Sequence, residues 1–403
     1  MNIMYLTDVG FDTPNSNNHL VISMVEKFIE KGHSVYLVQS HSTGTYADIP
    51  DKLKECKNFT IDTIKREVVK RSNFVKRYLS AIQYEIKAEK QWKKCIKDMD
   101  VVILQSHYTA VYSAMLLRKY HKKIIFNIYD IFPGEAYTNG NIRSKFVYDF
   151  FSFIQKYLYK YCDAFFTLTE DTKRTLISLG VLESKIYIIP NWFDESAIHW
   201  VEFSNNRFAQ KYGLKEEVKY IQYAGSIGVS YDFDLILDVA KLLEDRNDIV
   251  FQIVGEGLKL DEIKTRAEKK NLNNVQFIPW QPLELLSDMY SVSTIQIVPL
   301  RRDVIRNSYP SKILPLMACG RIPVVSVEKD SFFYSKLNNS NAGIAVSLGD
   351  ANLLAQQIET LVDNPFQIRE MEIKAKDYAY ENYTANANTE KMLRAIEKII
   401  GGQ

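Results

Sequence analysis

The chain has 403 residues, of which 46% are hydrophobic and 25% charged, and a formal net charge of +2. This length accommodates two domains with separate cores, and the composition excludes a disordered or fibrous protein. No apolar run approaches the roughly 18 residues of a membrane span, and the amino terminus reads as a strand rather than a signal peptide. We therefore expect a cytoplasmic protein, and the wide spacing of Cys56, Cys95, Cys162 and Cys319 fits free thiols.

Strand and helix patterns alternate through the first half of the chain. Residues 3–7 form the first predicted strand, a polar loop covers 8–18, and Gly32 ends the amphipathic helix that follows. Further strands are predicted at 34–38, 101–104, 124–128, 164–168 and 186–189, with a helix near 111–120. This alternation predicts an α/β domain with a parallel sheet.

Residues 65–97 carry most of the excess positive charge. The segment holds eleven Lys and Arg against three Glu, with aromatic and aliphatic residues interleaved. It predicts one or two basic amphipathic helices, which could lie on anionic lipid head groups. A solvated helix with a core-facing stripe explains the same pattern. Nucleic acid is disfavoured, because no nucleic-acid-binding motif accompanies the charge.

The second half repeats the alternation after a turn-rich stretch at 190–194, which is the best candidate for an interdomain hinge. Strands are predicted near 220–223, 250–254, 275–278, 294–298, 322–325 and 343–346, and helices near 234–243, 260–269, 283–290 and 352–362. The pattern is helical after Asp363. We place the first domain at 1–192 and the second at 193–384.

The most informative segment of the chain is 307–325. It predicts a loop, a short helix from about Ser311 to Cys319, and a buried strand, with Pro310 before the helix and Gly320 at its end. Ser311 could cap the helix, whose amino end attracts anions. Lys312 opposes the helix dipole in the first turn. A phosphate in front of Lys312 explains this cation, although a solvated surface lysine is equally consistent with these residues.

Two glycine-containing turns follow predicted strands in the same half. Gly225, Ser226 and Gly228 come after one strand, and Gly255, Glu256 and Gly257 come after the next. Glycine lets backbone N–H groups approach a diphosphate closely. Either turn alone is weak evidence, because tight βα turns use glycine without a ligand, but both turns together with the helix at Lys312 are more specific.

These three segments, in this order, resemble the donor site of family-four retaining glycosyltransferases, in the branch that builds bacterial capsule, O-antigen and other surface glycans. The resemblance covers nearly the whole chain and is strongest in its second half. It implies the GT-B fold, in which two Rossmann-like doubly wound domains face a central cleft, and a last helix, here about 385–403, that packs back on the first domain.

The resemblance also implies roles for particular residues. Gly225, Ser226 and Gly228 would line the phosphate site, Gly255 and Gly257 would border the nucleoside, and the backbone around 279–281 would edge the base. Trp280 could stack on the base, with an ordinary packed aromatic as the alternative, and Glu256 completes the second turn of the donor-binding set. The remaining donor-binding positions are Asn307, Ser308, Tyr309, Pro310, Ser311 and Lys312. The donor would be a nucleoside diphosphate sugar, with uridine diphosphate as the default, and no separate cofactor or metal is expected.

The chain departs from the family pattern at two kinds of position. Asn307 and Pro315 stand where many relatives carry two glutamates, and proline cannot replace a carboxylate. Residues 229–232 lack the usual basic residue after the first glycine turn. We therefore expect Arg301, Arg302 or Arg306 to supply charge to the diphosphate.

The acceptor side is expected in the first domain. The loop from Asp12 to His19, with Asn15, Ser16, Asn17 and His19, suits hydroxyl-rich sugars, although an ordinary solvated loop would look the same. Asp130 follows a strand and is the first choice for a general base or substrate orienter. Tyr129 stands where many relatives have histidine. His107 is the second choice, with a structural histidine as the alternative.

The resemblance thus implies a retaining glycosyltransferase that transfers a sugar to a glycan or lipid-linked glycan, and the basic segment 65–97 suggests peripheral contact at the inner membrane face. The alternative is a non-catalytic glycosyltransferase-like subunit, which the loss of both glutamates favours. A nicotinamide-dependent dehydrogenase is disfavoured, because residues 8–18 lack the required glycine spacing.

Overall fold

A computed structural model describes residues 1–11, 18–42, 49–66, 69, 74–107 and 109–402. The described chain separates into two compact units. The first contains Met1–Asn191, Asn307–Tyr309 and Ala385–Gln403, and the second contains Trp192–Arg306 and Pro310–Thr384. Each unit is an α/β domain built on one parallel sheet, which is the fold class that the alternating pattern predicts.

The first unit has a seven-stranded sheet in the order β3-β2-β1-β4-β5-β6-β7. Its strands are β1 (Asn2–Leu6), β2 (Ser34–His41), β3 (Phe59–Lys65), β4 (Val101–Gln105), β5 (Lys123–Asn127), β6 (Ala164–Thr167) and β7 (Ile186–Ile188). Its first seven helices are α1 (Asn18–Glu30), α2 (Asp51–Lys54), α3 (Phe74–Trp92), α4 (Ala110–Leu117), α5 (Gly134–Thr138), α6 (Lys145–Tyr159) and α7 (Glu170–Ser178). All five residues of β4 are buried, because helices cover both faces of the sheet.

The second unit has a six-stranded sheet in the order β10-β9-β8-β11-β12-β13. Its strands are β8 (Lys219–Ala224), β9 (Ile249–Val254), β10 (Val275–Ile278), β11 (Ile295–Pro299), β12 (Ile322–Val327) and β13 (Ile344–Ser347). Its helices are α8 (Arg207–Tyr212), α9 (Phe233–Leu242), α10 (Leu260–Lys269), α11 (Leu286–Ser291), α12 (Val304–Asn307), α13 (Ile313–Ala318), α14 (Phe332–Ser340), α15 (Ala351–Val362) and α16 (Pro365–Asn382). The last helix, α17 (Ala385–Gly401), packs on α1 of the first unit, where Lys31 Nζ lies 3.6 Å from Glu390 Oε1.

One element was missed from the sequence, and the start of another was placed wrongly. The sequence pattern did not reveal the edge strand β3, which begins at Phe59 and whose last residue, Lys65, opens the basic segment. The helix expected from Ser311 is shorter, because the N–H groups of Ile313 and Leu314 bond to the carbonyls of Pro310 and Ser311 in a tight turn. Lys312, rather than Ser311, is the residue at the amino end of α13, and no side chain caps this helix.

A row of glutamines fixes the register of the second sheet. Gln222 on β8 accepts from Gln296 Nε2 on β11 at 2.7 Å and donates to Gln252 Oε1 on β9 at 3.0 Å. Gln252 in turn donates to Gln276 Oε1 on β10 at 3.2 Å. A slip of one residue would bring apolar neighbours against the buried amides of Gln222, Gln252 and Gln296 and leave them unpaired, so the row favours one register. The ends of β8, β9 and β11 are thereby held at one edge of the sheet.

Both sheets reverse their strand order once. In the first unit the reversal lies between β1 and β4, and in the second it lies between β8 and β11. Ligands of open α/β sheets bind outside the carboxyl ends of the strands at this point. The residues that follow these four strands are therefore the first place to look for a functional site.

Candidate functional site

The carboxyl edge of the second sheet surrounds the side chain of Lys312. Its Nζ lies 3.7 Å from the centre of the Tyr223 ring, at the end of β8, and 4.0 Å from that of Tyr231, in the following loop. A Cβ atom added to Gly225 would lie only 2.7 Å from this Nζ. The ammonium group is therefore held against the first glycine turn by two aromatic rings, which attract cations through their π faces.

Among the described residues, no carboxylate forms an ion pair with this ammonium group. Lys312 Nζ is buried and has no hydrogen-bond partner among the residues that the structure describes, although the residue as a whole is partly exposed. Burial lowers the pKa of Lys312 well below its usual value. An uncompensated buried charge is unfavourable, so the site favours entry of an anion, which would form charge-assisted hydrogen bonds with Lys312.

The two glycine turns stack directly on one another. Ile227 N–H donates to Glu256 O at 2.8 Å, and Gly225 N–H donates to Val254 O at 2.9 Å. Gly255 and Gly257 have φ values of +146° and +154°, and a Cβ atom on them would lie 2.0 Å from Gly225 O and 2.3 Å from Ile227 O. These two glycines are thus required by the chain's own backbone, a reason that needs no ligand.

The remaining predicted positions around the turns are open to solvent. Ser226, Glu256 and Trp280 are exposed, and Ser226 is anchored through its carbonyl, which accepts from Tyr223 Oη at 2.6 Å. Gly228 differs from the other glycines of these two turns, because a Cβ atom added to it would meet nothing closer than Ser226 Oγ at 3.7 Å. Gly228 is therefore a position where a ligand, rather than the fold, could require glycine.

The three arginines expected to supply charge differ in their surroundings. Arg301 and Arg302 are exposed beside the end of β11, and Arg301 N–H donates to Ser230 O at 3.1 Å. Arg306 is already engaged, with Nη2 2.7 Å from Asp330 Oδ2 and Nε 3.4 Å from Asp303 Oδ1. The neighbouring carboxylates raise the pKa of Arg306. Arg301 and Arg302 are thus better placed than Arg306 to meet an incoming anion.

The predicted donor set does not lie within one unit. Pro310, Ser311 and Lys312 belong to the second unit, whereas Asn307–Tyr309 groups with the first. There Ile131 N–H donates to Asn307 O at 2.8 Å. A donor site built from the second unit alone therefore excludes these three residues. Pro315 lies within α13 and adds no polar group to the edge.

The corresponding edge of the first sheet holds a network of paired charges. His107, after β4, contacts the Glu85 carboxylate of α3, which also accepts from Ser113 Oγ. Arg66, after β3, donates from Nη1 to Asp8 Oδ2, after β1, at 2.7 Å. His107 Nδ1 lies 3.8 Å from Asp8 Oδ1 and joins the two pairs.

The charges of this network stabilise one another. Burial alone would lower the pKa of His107, but the Asp8 and Glu85 carboxylates outweigh it and raise the pKa to about 9. Burial also works against ionisation of Asp8, yet His107 and Arg66 hold its pKa below the usual value. His107 is therefore a buried, paired histidine at neutral pH, which matches the structural alternative given above for this residue.

Asp130 lies apart from that network, in the loop after β5. More than a third of its surface is open to solvent, yet the protein packed around it and then the Glu135 carboxylate raise its pKa, a shift that solvent contact moderates. Tyr129 N–H donates to Ser106 Oγ at 3.2 Å, so the loops after β4 and β5 meet at one edge. Asp130 remains the better placed of the two predicted residues for proton transfer.

The acceptor-side residues are only partly described. Asn15, Ser16 and Asn17 lie outside the described residues, and His19 is exposed in the first turn of α1. Within the described ranges, no group of three or more His, Cys, Asp and Glu residues is placed to hold a metal ion. None of the described helices is both long and apolar enough to cross a membrane.

Sequence reasoning missed the residues that set the electrostatic environment at each sheet edge. Tyr223 and Tyr231 flank Lys312, and Glu85, Asp8 and Arg66 surround His107. The one available signal was position, because Asp8, Arg66 and His107 each follow a strand and Tyr231 occupies the stretch where a basic residue was expected. Nothing in the spacing of Glu85, in the middle of a basic helix, pointed to this edge.

Comparisons with known proteins agree with this architecture. Residues 18–197 match the model described as Glycosyltransferase Family 4, and residues 204–382 match the model described as Glycosyl transferases group 1. The two models follow one another along most of the chain and fall on the two sheets. The chain belongs to the family-four glycosyltransferases of the GT-B class.

A curated relative and several solved structures are similar to this chain. The putative colanic acid biosynthesis glycosyl transferase WcaI of Escherichia coli K12 is 25% identical over 163 residues, which is 40% of each protein. Sucrose-phosphate synthase of Thermosynechococcus elongatus has a TM-score of 0.78 at 13% identity, over 100% of both chains. HepE of Anabaena, solved with UDP and glucose, has a TM-score of 0.74 at 12% identity, over 99% of this chain and 100% of HepE.

Proposed function

We propose that this chain is a retaining, metal-independent glycosyltransferase. It would move a sugar from a nucleoside diphosphate sugar to a hydroxyl of a glycan or lipid-linked glycan during synthesis of a bacterial surface polysaccharide. The observation that carries the proposal is the uncompensated ammonium group of Lys312 at the reversal point of the second sheet. A diphosphate is a ligand with the charge and the size to pair with it.

The same geometry supports a mechanism for departure of the diphosphate. Negative charge develops on the leaving phosphate as the bond to the sugar breaks, and a fixed cation in a water-poor site stabilises that charge strongly. Lys312 is held in place by Tyr223 and Tyr231 before any ligand arrives. Arg301 and Arg302, which are exposed beside β11, would contact the outer phosphate oxygens.

Uridine diphosphate is our proposed donor nucleotide. Supporting this choice, HepE of Anabaena was solved with UDP and glucose, and another structure of the same fold is a trehalose-6-phosphate protein of E. coli with UDP-2-fluoro glucose. Trp280 is half exposed and could stack on the base, and the turn of Gly255 and Gly257 would border the ribose. The retaining outcome is inherited from the family resemblance.

Asp130 is our proposed group for handling the acceptor hydroxyl. A carboxylate whose pKa is raised toward neutrality serves well as a general base, and Asp130 is the open carboxylate beside β5 that has this property. The acceptor class is supported by the colanic acid relative, whose printed name refers to a surface polysaccharide. Contact of the basic segment 65–97 with anionic lipid would bring a lipid-linked acceptor close.

A non-catalytic partner subunit is the second candidate. Asn307 groups with the first unit and Pro315 brings no carboxylate to α13, so the two glutamates of many relatives have no counterpart at these positions. Such a subunit could still bind a nucleotide. Turnover of a UDP-sugar by the isolated chain separates the two candidates.

The proposal is tested by replacing Lys312 with methionine, which keeps the length and apolar stem of the side chain. Lys312→Met should remove a buried amine that has no described hydrogen-bond partner and stabilise the free protein by about 1–3 kcal/mol. It should also abolish the stabilisation by UDP, which for the wild type is about 2.7 kcal/mol at a hundred times the dissociation constant. Both quantities come from thermal unfolding with and without UDP.

The matched control is Lys336→Met. Lys336 is an exposed lysine of the second unit whose Nζ also lies near two tyrosine rings, 5.8 and 5.9 Å from Tyr378 and Tyr383. This variant should respond to UDP as the wild type does. An undiminished response to UDP in Lys312→Met would contradict the proposed donor site.

A further inference from the structure

Helix α6 of the first unit presents a row of aromatic side chains to solvent. Phe146, Phe150, Phe153 and Tyr157 recur every three or four residues and therefore share one face. Each has at least half of its surface exposed, and Phe146 reaches 80%. Single exposed apolar residues are ordinary, but a contiguous aromatic row marks an interaction surface.

The opposite face of α6 is polar but buried, so the exposed aromatic face is not explained by the usual packing of an amphipathic helix. Ser152 and Gln155 point inward and are buried, and Ser152 Oγ and Gln155 Oε1 have no hydrogen-bond partner among the described residues. A helix that packed by polarity alone would turn these groups toward water. Instead α6 buries polar side chains and exposes four aromatic ones, so its outer face is suited to an apolar medium.

Cations border the aromatic row. Between positions 143 and 160 the chain carries Arg143, Lys145, Lys156 and Lys160 against the single carboxylate of Asp149. Lys160 Nζ lies 5.4 Å from the centre of the Tyr157 ring. Lys145 pairs with Asp149 at 2.5 Å, which leaves the other three cations in excess.

The basic helix α3 lies next to this row. Tyr78 of α3 and Phe151 of α6 have ring centres 5.5 Å apart, so the two helices are neighbours in the first unit. On α3 the large apolar side chains Leu79 and Ile86 are exposed, as are the cations Lys87 and Lys90. The two helices therefore combine exposed apolar groups with excess positive charge.

We propose that the aromatic face of α6, formed by Phe146, Phe150, Phe153 and Tyr157, docks the protein on a membrane rich in anionic lipid. The aromatic rings would enter the head-group region, where such side chains are favoured, and the flanking cations would meet the lipid phosphates. The basic segment 65–97 then supports α6 rather than providing the main contact. This inference deepens the contact with anionic lipid that is part of the proposed function and rests on it, but it needs neither a donor nor catalysis.

The charge distribution favours a lipid surface over a second copy of this chain. Two copies of the same face would bring like-charged borders together, and opposed cations repel. An anionic bilayer instead offers an apolar region for the rings and negative head groups for the cations. Association of two copies through this face is kept as an outcome that the experiment can detect.

The experiment measures binding of the full chain to vesicles of phosphatidylglycerol and phosphatidylcholine, and to vesicles of phosphatidylcholine alone, by co-sedimentation without a nucleotide. The test variant is Phe146→Ser/Phe153→Ser. The control is Phe366→Ser/Ile373→Ser, which removes two exposed apolar side chains with the same seven-residue spacing from α16 of the second unit. Thermal unfolding checks that all proteins are folded.

The wild type and the control should bind the anionic vesicles equally. The α6 variant should bind them at least about tenfold more weakly, because two large rings no longer enter the head groups. Lys156→Gln/Lys160→Gln should also weaken binding to the anionic vesicles and leave the weak binding to phosphatidylcholine unchanged.

Three results would overturn the proposal. The first is absence of vesicle binding by the wild type, and the second is equal binding by the wild type and the α6 variant. The third is a wild-type dimer, seen by light scattering, that Phe146→Ser/Phe153→Ser converts to a monomer without affecting vesicle binding, since that would make the face a subunit interface. Failure of UDP to bind would contradict the proposed donor site but not the proposed contact of α6 with lipid.

Discussion

The two sheets reverse their strand order in the same way, but the edges at their reversal points are chemically opposite. In the first unit Asp8, Arg66, Glu85 and His107 form a largely buried network in which cations and carboxylates face one another. In the second unit a single cation, Lys312, lies between two tyrosine rings without a described counter-charge. The charges of the first edge already pair with one another, whereas we propose that an anion pairs with Lys312 at the second.

This contrast separates a structural role from a binding role. Charges that already satisfy one another gain little from a ligand, and removal of one partner mainly harms stability. A lone buried charge costs stability in the free protein and gains from a ligand. Removing a charge from the first edge should therefore lower the stability of the free protein. Removing Lys312 from the second edge should raise that stability and weaken ligand binding.

The largest expected effect is that of Glu85→Gln, which removes the carboxylate facing His107. Breaking a buried pair in this way costs about 3–5 kcal/mol of unfolding free energy, measured by urea denaturation. Glu89→Gln is the control on the same helix, because Glu89 pairs with the more exposed Lys93 at 2.5 Å. Surface pairs of this kind contribute less than about 1 kcal/mol. Equal effects of both substitutions would contradict the buried network.

The pH dependence of His107→Asn should be the next largest effect. The pKa of His107 is raised to about 9 in the folded state, so its stabilising contribution is full below the unfolded value of about 6.5 and is lost as the pH rises through about 9. The stability difference between wild type and variant should therefore shrink by about 3 kcal/mol between pH 6 and pH 10. A difference that stays constant with pH would show that His107 is not charged in the folded protein.

Alanine substitutions at Gly257 and Gly228 should have effects of intermediate size, on stability in one case and on UDP binding in the other. Gly257→Ala forces a Cβ atom to within 2.3 Å of Ile227 O at a φ of +154°, and should cost about 2 kcal/mol of stability. Gly228→Ala meets no close atom, so it should leave the melting temperature almost unchanged and weaken UDP binding instead. Titration of UDP and thermal unfolding of both variants distinguish the fold from the ligand as the reason for each glycine.

The smallest expected effect concerns the arginines of the second edge. Arg301→Ala should weaken UDP binding several-fold, or about 1 kcal/mol, because the exposed guanidinium is available to a phosphate. Arg306→Ala should change UDP affinity less, because Asp330 and Asp303 already engage this side chain. The reverse order, or no effect of either substitution on affinity, would remove the arginines from the donor site.

Local patterns in the sequence were enough to predict the class of fold. Alternating apolar runs and amphipathic stretches indicated two parallel sheets, and glycine turns after strands marked the edge where Lys312 lies. These features depend on periodicity and turn chemistry within about ten residues, which the sequence displays directly. The edge strand β3 and the true start of α13 were missed, because short segments carry little periodic signal.

Only the tertiary structure decided which charges are paired and which faces are covered. Glu85 meets His107 across 22 positions of sequence, and Tyr223 meets Lys312 across a still longer span. Helix α6 carries apolar side chains around most of its circumference, so its sequence does not show which face is buried. Packing against the rest of the first unit settles that choice. Partners distant in sequence set the pKa of His107 and of Lys312 and leave one aromatic face exposed, because burial and electrostatic pairing depend on proximity in space.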